Sequence, residues 1–337
     1  MYLFNSTVLV EPTNICNLKC VMCEARCTVE AGMNKAEYLM PDDFDLILSK
    51  LEKYISNVVF QGDCEPTLNP YLPELVKVAS KYTKQIAIVT NGTMLKPELT
   101  DNLIKSGVNW FALSIDDYRK NIYNGIRKYS DYDKVMNNLK YLIKYRNEKM
   151  RSLYIVTHKI VFPDNTKEDL IGYINYFYKK MGVNKVTFAP LVSEGNIKEK
   201  NWLIERNHLE NELIARDIQI NLKDFANYPY MVNHKYCGTN LFFISHEGNF
   251  APCGLHTRDH KIFGNLIEEN LDDIIKRRDF IEYHEYWSNR KFDQDAPKIC
   301  ENCYLLRSPY FRYCLDDGYE VTETIYEKNN GQLEKVM

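Results

Sequence analysis

Cys16, Cys20 and Cys23 stand at C-x3-C-x2-C spacing directly behind a short apolar run and the stretch Glu11-Pro12-Thr13-Asn14. Three thiolates on one tight loop can hold three irons of a [4Fe-4S] cluster. The fourth iron then lacks a protein ligand and is open to another group. Zinc is the other chemistry that suits such thiols, but a structural zinc site usually pairs two C-x2-C half-sites into a closed set of four ligands. Here one arm is x3. Cys27, four residues beyond Cys23, keeps a local four-thiol site open. A disulfide framework fits poorly. The chain is long, and its start, Met1-Tyr2-Leu3-Phe4-Asn5, has no basic segment ahead of an apolar one.

The ten cysteines fall in two groups. Cys16, Cys20, Cys23, Cys27 and Cys64 lie near the start, and Cys237, Cys253, Cys300, Cys303 and Cys314 lie near the end. Two separate metal sites on two domains account for that distribution. The chain's 337 residues are 45% hydrophobic, enough for one large core and a smaller module. A formal net charge of -3 argues against a general nucleic-acid binder. No apolar run approaches the length needed to span a bilayer, and the expected location is cytoplasmic.

The elements that must position these thiols follow from hydrophobic periodicity. Short β-rich runs at 7–11, 57–61, 85–90, 110–115, 153–162 and 185–190 alternate with helical patterns at 42–54, 71–82, 98–106, 132–146 and 167–181. That alternation predicts an α/β fold with a parallel sheet flanked by helices. Six units are too few for a closed eight-fold barrel, so a partial (β/α)6 barrel is expected over 1–190. Ligand sites in such folds lie at the carboxyl ends of the strands. The cysteine loop, Gly62-Asp63-Cys64-Glu65-Pro66, Asn91-Gly92, Ser114 and Asp116 all fall there. Residues 191–235 read as a linker with a helical segment. Residues 236–318 read as a small C-terminal domain: a β-hairpin turning at Gly248, a helix over 271–286, and a loop delivering Cys300 and Cys303. Residues 319–337 read as a charged, partly frayed tail.

In this order the motifs resemble the radical S-adenosylmethionine (radical SAM) superfamily, over about residues 7–190. The resemblance implies a SAM-binding [4Fe-4S] cluster on Cys16, Cys20 and Cys23, with SAM chelating the open iron. One-electron cleavage of SAM then yields a 5'-deoxyadenosyl radical that abstracts a substrate hydrogen. It implies SAM contacts at Met22, Gly62, Glu65, Asn91, Ser114, Asp116 and Arg127. Three of these have a plainer reading. Asn91 can simply shape its turn, Asp116 can cap a helix, and Arg127 can be a solvated surface charge. Cys64 replaces an expected glycine. It is either a thiol near the chemistry or a small residue on a tight turn.

The second cysteine group resembles the Twitch/SPASM type of extension in the same superfamily. The resemblance implies one auxiliary [4Fe-4S] cluster on Cys237, Cys253, Cys300 and Cys303, because Pro309 breaks the pattern of the two-cluster form. A four-thiolate zinc site is the alternative. The histidines near these thiols, His246 and His256, read as surface residues. A fully ligated auxiliary cluster suits electron transfer. The expected outcome is therefore dehydrogenation or epimerisation of a small polyhydroxylated, sugar-like substrate, with Cys64 or Cys314 as candidate hydrogen-atom donor. A flavodoxin- or ferredoxin-type protein is the implied electron donor. Peptide modification is the alternative outcome. A start directly at strand one, without room for a leader-peptide domain, favours the small substrate. An iron–sulfur or zinc-stabilised binding module is the non-enzyme alternative.

Overall fold

The computed structural model describes residues 6–23, 35–162, 164–193, 196–197, 241–251, 262–288, 295, 297–300, 310–316, 321–329 and 332–335. The chain opens with β1 (Ser6–Val10) and a two-residue strand β2 (Lys19–Cys20) in the cysteine loop. Then follow α1 (Pro41–Leu51), β3 (Ile55–Phe60), α2 (Leu72–Tyr82), β4 (Gln85–Thr90), α3 (Pro97–Ser106) and β5 (Trp110–Ser114). The next elements are α4 (Lys120–Ile126), β6 (Arg127–Lys128), α5 (Tyr132–Lys149), β7 (Tyr154–Val161), α6 (Lys167–Ile174) and β8 (Lys185–Pro190). Strands β1, β3, β4, β5, β7 and β8 lie side by side in that order, all parallel. These are the six expected β/α units.

The sheet has two faces of different character. Val8, Val10, Val58, Phe60, Ile86, Ile88, Phe111, Leu113 and Ile155 pack with the buried stripes of the helices. The alternate residues Leu9, Val59 and Ala87 form a separate cluster with Val89 and Trp110, and Ala112 and Val156 continue it. Alternation along each strand therefore separates an outer, helix-covered face from an inner face lining an open partial barrel. Proline sits at the start of α1, α2 and α3, where a missing N–H costs nothing.

The sheet does not stop at β1. Strand β11 (Leu241–Ile244) joins its free edge in parallel, pairing Thr7 with Leu241 through Val10 with Ile244. Strands β12 (Asn249–Ala251) and β13 (Gly264–Asn265) add antiparallel to β11. The expected hairpin turns at Gly248, whose φ of 82° suits glycine. The C-terminal module is thus continuous with the core sheet. Between β8 and β11, a short hairpin of β9 (Val192–Ser193) and β10 (Asn196–Ile197) is described. The rest of the linker expected at 191–235 lies outside the described residues.

Four elements differ from expectation. The helix over 167–181 changes pitch: α6 passes into a π-helical turn, Asn175–Met181, that buries Phe177 and ends at left-handed Gly182. The helix over 271–286 is two pieces, α7 (Leu271–Ile274) and α8 (Arg278–Ser288). Between them Arg277 turns back to donate to Phe263 O at 2.5 Å and to pair with Glu269. Helix α4 was hidden by its length of seven residues and weak periodicity. The segment expected as a frayed tail contributes two of the strands of an antiparallel meander: β14 (Tyr310–Asp316), β15 (Val321–Asn329) and β16 (Gln332–Lys335). The β-branched and aromatic residues at 321–326 suit a strand despite the surrounding charge. Among the described residues, no helix is long and apolar enough to cross a membrane.

Candidate active site

The cysteine loop leaves β1 and is fastened from several sides. Asn69 Nδ2 donates to Pro12 O at 2.7 Å, and Thr13 Oγ1 donates to Glu37 O at 2.7 Å. Buried Leu18 anchors its middle. Strand β2 then pairs antiparallel with β6, setting Cys20 opposite Arg127, and Val21 N donates to Ile126 O at 2.9 Å. Cys23 N donates to Cys20 O at 3.1 Å, closing a turn that gathers the thiols. Cys16 and Cys20 are half-buried, while Cys23 and the mouth of the loop are exposed; Met22 is half-buried beside them.

Cys16, Cys20 and Cys23 are free thiols. Burial pushes the Cys16 thiol up to about 12, with Glu65, Cys20 and Cys23 adding repulsion. Burial likewise raises Cys20, Arg127 opposes the rise, and Asp116 and Cys23 reinforce it. Cys16 and Cys20 resist ionising, and a cation held among the three soft sulfur donors would offset that cost. An iron–sulfur cluster is such a group, so the donor set fits it.

The turn after β3 is shaped around two carboxylates. Glu11, one residue past β1, accepts from Asp63 N at 2.6 Å. Gly62 makes room for this contact: a Cβ there would lie 2.4 Å from Glu11 Cγ and Oε2. Glu65 is 3% exposed and is saturated by the protein. It accepts from Thr67 N at 3.2 Å, Thr67 Oγ1, Thr90 Oγ1 at 2.5 Å and Asn91 N at 2.7 Å. Burial raises its pKa, and these donors pull against the rise. Its carboxylate therefore bolts the turn after β3 to the turn after β4. Cys64 is disulfide-bonded, so it is not a free thiol in this structure.

Asn91 also works within the protein. Its side chain donates to Asn17 Oδ1 at 2.9 Å and accepts from Thr93 N and Oγ1 at 2.9 and 2.6 Å. Asn17 Nδ2 in turn donates to Thr93 Oγ1 at 2.9 Å, tying the cysteine loop to the Asn91-Gly92 turn. Asp116 is fully buried. It accepts from Arg127 Nε at 2.6 Å and Ile160 N at 2.8 Å, and its carbonyl accepts from Lys159 Nζ at 2.5 Å. Arg127 is not a solvated surface charge. It is 7% exposed and donates from Nη1 to Cys20 Sγ at 3.7 Å. Ser114 stands half-buried on the inner face at the end of β5.

The site also recruits residues that the sequence reading missed. His158 on β7 is in register with Ser114 on one side and Thr187 on the other. It shares the inner face, and its Nδ1 lies 2.9 Å from Thr187 Oγ1. Burial pushes its pKa down to about 4, against the pull of Asp116. It is thus neutral at physiological pH. Strand alternation could have flagged it, since Val156 and His158 share a face. Glu11 and Asn17 sit within the cysteine motif itself, but nothing in their spacing announces their partners.

Of the second cysteine group, Cys300 is buried in a 3₁₀ turn, Lys298–Cys300, and Cys314 lies on β14 opposite Glu323. Cys27, Cys237, Cys253 and Cys303 lie outside the described residues. A family model described as "Radical SAM superfamily" matches residues 10–177, and one for an iron–sulfur cluster-binding domain, SPASM, matches 236–304.

This chain belongs to the radical SAM superfamily.

It is 28% identical to a probable GTP 3',8-cyclase of Methanocaldococcus jannaschii, over 89% of this chain and 94% of that protein. It is 27% identical to a tungsten-containing aldehyde ferredoxin oxidoreductase cofactor-modifying protein of Pyrococcus furiosus, over 79% of each. Streptococcus suis SuiB bound to S-adenosylmethionine shares its fold with a TM-score of 0.64 at 18% identity, covering 90% of this chain and 72% of that one. The cofactors of this radical SAM enzyme are therefore a SAM-binding [4Fe-4S] cluster, SAM and an auxiliary iron–sulfur cluster. The binding-module reading is set aside.

Proposed function

We propose that this radical SAM enzyme carries out a redox change, dehydrogenation or epimerisation, on a small, uncharged, hydroxylated substrate held inside the partial barrel. The observation that carries this reading is the character of the inner wall. Its polar side chains, Asn57, Ser114, His158 and Thr187, are all neutral, and they alternate with Leu9, Val59, Ala112 and Val156. Among the described strand residues facing inward, the charged exception is Lys185 at the base. A wall of neutral hydrogen-bonding groups desolvates hydroxyls at little cost but offers no partner to a buried charge. The charged groups Glu11, Asp116 and Arg127 gather instead at the mouth.

With the cluster and SAM bound, the site would supply a 5'-deoxyadenosyl radical able to take a hydrogen atom from a C–H bond. The protein's own residues do the rest. Cys16, Cys20 and Cys23 would hold the cluster, Glu65 and Glu11 fix the turn at 62–65 where the methionine end of SAM would lie, and Ser114 would face its ribose. Arg127 has its guanidinium beside Cys20, where it would pair with the SAM carboxylate. Neutral His158, steadied by Thr187, offers a hydrogen bond to a substrate hydroxyl without adding charge. Cys237, Cys253, Cys300 and Cys303 would ligate the auxiliary cluster as electron acceptor. Cys314 is the candidate hydrogen-atom donor for epimerisation; Cys64 would serve only after reduction. A flavodoxin- or ferredoxin-type donor and a cytoplasmic location fit this chemistry.

The relatives named as GTP 3',8-cyclases favour a small-molecule substrate, since the Methanocaldococcus jannaschii protein matches over 89% of this chain and 94% of its own length. SuiB bound to its precursor peptide SuiA keeps peptide modification as the second reading, although at 17% identity it speaks for the fold. The test is substrate-stimulated release of 5'-deoxyadenosine by the anaerobically reconstituted protein. Uncharged sugars and cyclitols, nucleoside triphosphates and short peptides are compared. Stimulation by the first class supports the reading, with a ketone product marking dehydrogenation and solvent deuterium in unoxidised product marking epimerisation. Stimulation by peptides or nucleotides alone overturns it.

A further inference from the structure

Among the described residues, the side chain of His246 carries the C-terminal module to the mouth of the barrel. Strands β1 and β11 end side by side, and Glu11 N donates to Ile244 O at 2.8 Å just beyond the last pair. Two residues later His246 turns back over β1. Its Nδ1 lies 3.9 Å from Glu11 Oε1, and its Nε2 lies 3.3 Å from Glu37 Oε2. The turn that presents it is stiff: Ser245 Oγ accepts from Asn249 N at 3.2 Å, Gly248 N donates to Ser245 O at 3.0 Å, and Asn265 Nδ2 holds Glu247 O at 2.8 Å.

Both carboxylates that His246 touches belong to the candidate site. The other oxygen of Glu11 accepts from Asp63 N, and Gly62 has no side chain where Glu11 must pass. Glu37 takes hold of the stretch before the first cysteine. Its backbone N donates to Asn14 Oδ1 at 2.9 Å, and Asn14 Nδ2 donates to its Oε2 at 3.3 Å.

We propose that His246 is a positioning residue by which the auxiliary module fixes the SAM-binding turn through Glu11 and the cysteine loop through Glu37. This rests on the reading of the 62–65 turn as SAM-binding. Glu11 is buried and Glu37 exposed, and an imidazolium between the two carboxylates offsets the repulsion between them. The charged groups facing His246 are Glu11 at the end of β1, Glu37 after the cysteine loop, and Glu247 on its own turn. Burial opposes its protonation, but Glu11 and Glu37 together raise its pKa above the ordinary value. The contact is therefore strongest with His246 protonated and weakens as pH rises through that raised pKa.

The test measures the dissociation constant of SAM on the full-length reconstituted protein, with iron content checked in parallel, for wild type, His246→Ala, Glu11→Gln and the double variant. Each single change is expected to weaken SAM binding by about tenfold at unchanged iron content, and the double variant no further than either single one. Wild-type affinity should fall as pH rises, and His246→Ala should flatten that profile. An unchanged dissociation constant in His246→Ala, or effects that multiply in the double variant, overturns the proposal. If His246→Ala loses iron, Glu37→Gln and His246→Gln decide by the same affinity and pH readouts. Failure of the wild-type holoprotein to bind SAM would overturn the reading of the turn itself, a result separate from any effect of His246.

Discussion

Arg127 and Cys20 face each other across a two-residue antiparallel bridge, and the guanidinium donates to the cysteine sulfur at 3.7 Å while Asp116 holds its Nε at 2.6 Å. A permanent cation is thus built beside Cys20, a proposed cluster ligand, and a fully buried carboxylate depends on it. This explains why the segment after β5 returns to the cysteine loop at all.

Removing that cation should damage stability and metal retention together. In Arg127→Met, buried Asp116 is left without its cationic partner, a loss of about 3–5 kcal/mol for a broken buried pair. Urea unfolding of the reconstituted protein should show the loss, and iron per chain should fall. Arg127→Lys keeps a charge but not the fork that serves two acceptors at once, and should lie between wild type and Arg127→Met. Wild-type stability and iron content in Arg127→Met would show that the pair is not structural.

Glu65 makes a different prediction, because its carboxylate is already spent on the protein. In Glu65→Gln, an amide N–H must face donors from Thr67, Thr90 or Asn91. The expected cost is about 2 kcal/mol of stability, from a buried group left unsatisfied. SAM affinity should fall through distortion of both turns. The discriminating measurement is Thr90→Val, which removes one of the same donors without touching Glu65. It should weaken SAM binding in the same direction by a smaller factor.

These bonds mark the limit of what the sequence revealed. The six β/α units were legible because the strands are apolar runs and the helices carry clear amphipathic stripes, with proline at their starts. The cysteine loop was legible because metal ligands cluster in sequence. Asn91 and Asp116 were visible as strand-end polar residues, but their partners Asn17, Arg127 and Ile160 come from other elements far along the chain, and spacing carries no trace of them. His158 was hidden by lying mid-strand with Ser114 as its neighbour only in space. Charge misled at 321–329, where strand-forming residues outweigh it.

The second cysteine group should be separable from the first in function. Cys300 is buried at the end of its 3₁₀ turn, within the matched iron–sulfur domain. Cys300→Ser is expected to lower iron by one cluster's share, with release of 5'-deoxyadenosine retained and turnover to oxidised product lost. Iron counting and product analysis on the same preparation check this. Loss of SAM cleavage as well would mean that the auxiliary site supports the first cluster rather than the substrate.

His158 sets an acid limit on the fold. Its folded pKa, about 4, lies below the ordinary histidine value of 6.5. Between those values the unfolded chain binds a proton that the folded protein refuses. Unfolding therefore takes up a proton there, and stability must fall as pH drops from 6.5 to about 4. The full effect is about 3 kcal/mol, present above the window and gone below it. His158→Gln keeps a neutral polar group against Thr187 and should remove this part of the slope. Unfolding free energies at several pH values across the window measure it. Identical slopes in the two proteins would mean that His158 takes up a proton in the folded state, and the inner wall would then carry charge beside Ser114.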